Sequence, residues 1–248
     1  MNRRLIIPAL AVAVVSGTAA QFQSNPTADA FVTTGPTQNL RDSNYGATGA
    51  LGISAPGSAN GEFQTLLRFD LSGAKALFDT QFGPGLWAIE SMSLQLTASP
   101  ANNPLFNPNA PGAFNIHWLQ NDGWVEGPGT TGVPSSSGIT FNGLQSAFLT
   151  PGSDQDLGSF SYGGASTGSS AYSLSLGAGL AQDALTGDIT SLWLSAGDGT
   201  SYLFNSRSFS IAGSRPLLTV VAVPEPRVWG MALVGTVVIL WSRWRARL

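Results

Sequence analysis

The sequence has no cysteine, a single histidine and little charge: Asp, Glu, Lys and Arg together make up only 10% of 248 residues. Without cysteine there is no disulfide framework, no thiolate metal ligand and no thiol nucleophile. One histidine, His117, cannot build a His-rich metal centre or a zinc site of the usual kind. A serine triad needs that histidine beside an activated serine, and no serine stands in a Gly-x-Ser-x-Gly elbow that follows a buried strand. Basic residues are scarcer still in the middle of the chain. Between residues 21 and 223, five Arg and Lys face thirteen Asp and Glu, a net charge of −8. Such a surface repels phosphate backbones and argues against nucleic acid as a partner.

What charge there is gathers at the two ends. Arg3 and Arg4 precede an apolar run from Leu5 to Val15, and Ser16 to Ala20 are mostly small. That order is the layout of a secretory signal, with Thr18 and Ala20 at the small positions before a cut and a mature start near Gln21. Eleven apolar residues are too few to span a bilayer, which takes about 20. At the other end, Val223-Pro224-Glu225-Pro226 is followed by an apolar run from Val228 to Trp241 and by Arg243, Arg245 and Arg247. Fourteen residues give about 21 Å of helix, short for a stable span. Trp241 and Trp244 suit an interface, and the Arg cluster would stay on the cytoplasmic side, leaving the preceding domain outside. The two prolines cannot continue a helix or serve a sheet interior, so the motif is expected to be extended and reachable.

The order Pro-Glu-Pro, short apolar helix and terminal Arg cluster resembles the PEP-CTERM sorting signal of Gram-negative bacteria. The resemblance covers residues 223–248. It implies processing by an exosortase, a membrane-embedded Cys protease and transpeptidase. Val223, Pro224, Glu225 and Pro226 would be the recognition motif, and Arg243, Arg245 and Arg247 the basic tail. It also implies a pause in the inner membrane, then delivery to the cell surface or extracellular matrix.

Residues 21–222 show no long helical period. They carry short alternating runs separated by Gly, Pro, Asn and Ser, the pattern of a sandwich or barrel. Strands are expected at Ala28–Thr33, Ala50–Ser54, Phe63–Asp70, Ile89–Ala98, Ala113–Leu119, Asp156–Tyr162, Ala171–Leu176, Thr190–Ala196, Ser201–Asn205 and Pro216–Val221. Met92, Leu94 and Leu96 alternate with Ser91, Ser93 and Gln95, and Tyr172, Leu174 and Leu176 with Ser173 and Ser175. Only Leu71–Leu77 and Gly179–Leu185 suit a helical turn or two, while Ser99–Pro111 and Gly127–Gly138 read as loops. The expected fold is all-β: a single antiparallel jelly-roll β-sandwich, flanked by an N-terminal signal helix and a C-terminal hydrophobic helix.

A second resemblance runs along this middle. Ala28-Asp29-Ala30-Phe31-Val32, Asn39-Leu40-Arg41-Asp42, Leu66-Leu67-Arg68-Phe69-Asp70-Leu71, Trp124-Val125-Glu126-Gly127, Asn205-Ser206-Arg207 and Arg215-Pro216-Leu217 fall in an order similar to the DNRLRE-type domain. That family is a secreted jelly roll akin to carbohydrate-binding modules. Where it has Ser-Arg-Glu, this chain has Ser206-Arg207-Ser208, so whatever that Glu does in relatives is missing here.

Candidate sites are few. Glycosidase chemistry needs two carboxylates a short distance apart, and the domain's three Glu (Glu62, Glu90 and Glu126) offer no evident pair. The expected role is therefore non-catalytic, with a polysaccharide-acting enzyme on the same sandwich or a purely adhesive protein as alternatives. Sugar stacking needs exposed rings. Trp87, after Gly83-Pro84-Gly85, Trp124 and Tyr45 are the candidates, with Glu126 beside them. Glu126 also suits capping of loop amides, or pairing with an Arg such as Arg68. Trp118 and Trp193 alternate within apolar strands and are expected in the core, and His117 is expected to be a plain strand residue. A structural calcium, held by Asp29, Asp42 and Asn44, is the candidate cofactor.

Overall fold

The computed structural model describes residues 18–100, 105–106, 108–197 and 199–225. The signal run, Pro226, the C-terminal apolar run and Arg243, Arg245 and Arg247 lie outside the described residues. The chain opens with β1 (Ala20–Ser24), β2 (Ala28–Thr33), β3 (Ala50–Ser54) and β4 (Phe63–Asp70). After α1 (Ser72–Phe82) come β5 (Trp87–Thr97) and β6 (Gly112–Leu119). A short turn of helix, α2 (Phe141–Gly143), runs into a π turn at Leu144–Phe148. Then follow β7 (Gln155–Tyr162), β8 (Ser169–Leu174), α3 (Ala178–Thr186), β9 (Ile189–Ala196), β10 (Ser201–Asn205) and β11 (Leu217–Pro224).

Two antiparallel sheets pack face to face. The smaller has the order β1-β11-β5-β8; the larger runs β10-β3-β4-β9-β6-β7, with β2 also paired to β4. Alternation explains which side chains meet between them. On β5, Met92, Leu94 and Leu96 are buried against Phe63, Phe69, Phe114, Leu192 and Leu194 from the larger sheet. Tyr172 and Leu174 of β8 join them, but Leu176 falls beyond the strand's end and is exposed. Helices α1 and α3 occur where the sequence allows them. Each buries a few apolar side chains, Ala74 and Phe78 from α1 and Leu180 and Ala184 from α3. Helix α3 stops at Gly187, whose φ of 72° is the left-handed geometry that glycine adopts without strain.

A second core lies on the outer face of the larger sheet. Ala28, Ala30 and Val32 of β2, Leu66 of β4 and Leu119 of β6 point away from the sandwich interior and are capped by Trp124, Ile139, Phe141 and Leu144. The segment from residue 120 to 149 is thus a strap laid across the sheet. The small side chains of β2 leave the room that the Trp124 indole fills.

The first and last strands of the described chain meet. Ala20, at the start of β1, pairs with Ala222 of β11. Past that point β11 has a neighbour on one side only: Val223 pairs with Ala88 and Pro224 with Trp87 of β5, and the Glu225 amide donates to the Leu86 carbonyl (2.9 Å). The first part of the expected sorting motif is therefore folded onto β5 rather than freely extended. Pro224 is tolerated because it closes the strand, where no second ladder needs its missing N–H.

Candidate functional site

Three charged residues far apart in the sequence, Asp29, Glu126 and Arg207, meet at one end of the sandwich. Asn25 Nδ2 donates to the Pro216 carbonyl there (2.7 Å), just ahead of β11. Asp29 lies near the start of β2 and is 1% exposed. Its amide donates to Glu126 Oε1 (3.2 Å), and its Oδ2 accepts from the Arg207 amide. Oδ1 has no hydrogen-bond partner among the described residues. Glu126 in turn takes Arg207 in a two-pronged pair, Nε to Oε1 at 2.8 Å and the terminal nitrogen to Oε2. Three separate segments, β2, the strap and the β10–β11 loop, are tied by these three side chains.

Burial sets the electrostatics. Loss of solvent pushes the Asp29 carboxyl up from 3.8 to about 7; the Arg207 amide pulls it down and the Glu126 charge raises it further. The Arg207 guanidinium is driven higher than usual by its bond to Glu126. A second acid, Asp122, sits where the strap leaves β6 and is pushed to about 6, chiefly by burial and against a bond to Ser191. Asp183 moves upward for the same first reason, while its Oδ2 accepts from Trp118 Nε1 (2.6 Å).

Asn44 is the hub under the strap. Its Nδ2 donates to the carbonyls of Glu126 (2.6 Å) and Ile139 (2.7 Å), and its Oδ1 accepts from the amides of Gly46 (3.2 Å) and Gly129 (3.1 Å). The chains approach so closely that a Cβ on Gly46 would lie 2.0 Å from the Glu126 carbonyl oxygen. The stretch after Glu126 is crowded in the same way, since a Cβ on Gly129 would lie 1.9 Å from the Asn44 carbonyl oxygen.

This geometry corrects several expectations. Trp87 is not on the surface: it is 3% exposed on β5, packed edge-on against Phe78 (5.1 Å), with Nε1 donating to Asp79 Oδ1 (2.8 Å). Trp124 is fully buried, with Nε1 on Ser191 Oγ (2.9 Å). Tyr45 is 1% exposed and stacked on Phe31 (4.9 Å). None of these three rings offers a face to a sugar. Glu126 does pair with an Arg, but with Arg207. Arg68 instead donates to the carbonyls of Asp122 (3.2 Å) and Trp124 (2.8 Å) and lies over the Trp124 ring (4.9 Å). The residues expected to hold calcium have other partners. Asp42 is exposed and accepts from Asn142 (2.9 Å), both polar atoms of Asn44 are engaged by backbone, and Asp29 faces Arg207. No group of three or more His, Cys, Asp and Glu suited to a metal occurs among the described residues.

Trp118 is buried as expected, but Trp193 is not in the main core. It stands half-buried on the outer face of the larger sheet, cross-strand from His117 and stacked on it (4.7 Å). Its Nε1 donates to Gln64 Oε1 (2.8 Å). Asn115 and Ser195 are paired on the same face, and Asp156 opposes His117 from β7. Burial holds the His117 imidazole below its usual range, against the pull of Asp156 and Asp154. Strand parity carried the signal for this strip, since Trp193 alternates with the inward Leu192 and Leu194. Ser166, in Gly164-Ala165-Ser166-Thr167-Gly168, sits in the exposed turn joining β7 to β8, a strand-to-strand link without the helix that a nucleophile elbow requires.

No protein-family model matches the chain, and no curated protein matches it. The functional reading rests on the residues themselves.

Proposed function

We propose that this is a non-catalytic exported protein of the cell surface or extracellular matrix, a jelly-roll sandwich delivered by an exosortase-type sorting system acting near Val223–Pro226. The observation that supports it most is the pairing of the first and last described strands. Residues 1–20, with export character, lead into β1, and the sequence with sorting character leaves from β11 beside it. A domain tethered at one such point keeps the rest of its surface free. Deleting Val228–Leu248 tests the reading: the domain is expected in the soluble periplasmic fraction, and unchanged envelope or matrix localisation would sink it.

The domain's polysaccharide contact belongs, in this proposal, to the outer strip of His117, Trp193, Asn115 and Ser195. Its amide and hydroxyl groups surround two aromatic edges, a surface suited to sugar hydroxyls. The net charge of −8 makes a neutral glycan the better match than a polyanionic one. Pull-down with insoluble neutral glycans is expected to retain the domain and to lose the His117→Ala variant at unchanged melting temperature. Equal retention of both would remove the strip from the account.

A further inference from the structure

The point at which the chain leaves the fold has a particular neighbour. The Glu225 amide is bonded to the carbonyl of Leu86 (2.9 Å), so the last described backbone lies against the turn that joins α1 to β5. That turn, Phe82-Gly83-Pro84-Gly85-Leu86-Trp87, belongs to a stretch from Thr80 to Ile89 without one charged residue. Leu86 is 44% exposed at its tip. Of the carboxylates around it, Asp79 is taken up by Lys75 and by Trp87 Nε1, while Glu90 and Glu225 flank the turn and are exposed. Three Cα–Cα steps separate Glu225 from Val228, where the apolar run starts, and at full extension they cover about 11 Å.

We infer that the Gly83–Leu86 turn is a membrane-contact surface, with Leu86 seated in the interfacial layer of the bilayer while the chain is held by its C-terminal run. The inference rests on the reading of residues 228–241 as membrane-inserted. Given that reading, the short connection leaves the sandwich no room to stand away from the bilayer. The turn bonded to Glu225 is the part brought nearest, and it carries an exposed leucine and no charged side chain of its own. The loop that enters β11 from its other end, bearing Ile211 (61% exposed), lies a strand's length away, about 24 Å for seven steps.

The absence of native cysteine makes the test clean. Full-length chain carrying Leu86→Cys or Ile211→Cys, labelled with a polarity-sensitive fluorophore, is reconstituted in vesicles of phosphatidylcholine with a minor phosphatidylglycerol fraction. The label at position 86 is expected to shift to the blue and to lose emission to a lipid-borne nitroxide quencher, while that at position 211 does neither. Co-flotation with both labels in water would overturn the contact surface and leave the anchor reading standing. A chain that does not co-float with vesicles would overturn both.

Discussion

Asp29 is where sequence and structure part most sharply. Its position in Ala28-Asp29-Ala30 reads as a polar residue in a strand, and the sequence suggests a calcium ligand. The fold instead buries it between Glu126 and Arg207. Nothing local could show this, because its partners lie 97 and 178 residues away. The consequence is a pH dependence with a definite sign. A carboxyl whose folded value is raised to about 7 from 3.8 favours the fold when protonated. Its contribution is complete below 3.8 and is lost as pH rises through 7. Asp122, raised to about 6, acts in the same direction, whereas Asp70, held low by Ser72, favours the fold above the ordinary carboxylate range. The melting temperature is therefore expected to fall between about pH 4 and about pH 7. Asp29→Asn should lose most of that fall, with the remainder assigned to Asp122 and Asp183. A wild-type melt that rises over this range would contradict the burial argument. At Arg207, replacement by Met leaves Glu126 without its two-pronged partner. Urea unfolding should then show a loss of about 2 kcal/mol, the scale of hydrogen bonds to a charged group at a partly exposed pair.

Strand placement was the most legible part of the sequence, because its period is local. Ala28–Thr33, Ala50–Ser54, Phe63–Asp70 and Ser201–Asn205 are strands with the expected bounds, since each alternates between turn residues. Strand β1 was hidden, because Ala20 reads as the end of a signal and Gln21 as the mature start; cleavage after Ala20 would still leave Gln21–Ser24 paired to β11. The strap was also hidden. Its Gly, Pro and Ser look like a solvated loop, yet its apolar residues bury one face of the larger sheet. Trp124 is the center of that packing, with Arg68 over its ring and Ser191 on its indole nitrogen. Trp124→Ala is expected to lose about 3–5 kcal/mol in urea unfolding, the range for emptying an aromatic core site. Limited proteolysis should then cut first within Gly127–Gly138. A variant as protease-resistant as the parent would mean the strap is held chiefly by Asn44 and Glu126.

At the scale of the molecule, the sandwich has two working ends. One gathers Asp29, Glu126 and Arg207 and locks the strap and the β10–β11 loop to β2. The other brings Ala20, Pro224 and Leu86 together where the chain enters and leaves. The sandwich class could be read from alternation and turn residues, but the pairing of first and last strands could not, because register between distant segments is a property of the packed whole. That pairing matters for the account: a domain closed by its own ends can be released by one cut beyond β11 without opening the core. The mass of the mature protein from fractionated cells, with both termini sequenced, tests this most directly. The account predicts a start near Gln21 and an end within Pro224–Arg227. Recovery from the envelope or matrix of chains that keep residues 1–20 and run to Leu248 would contradict it.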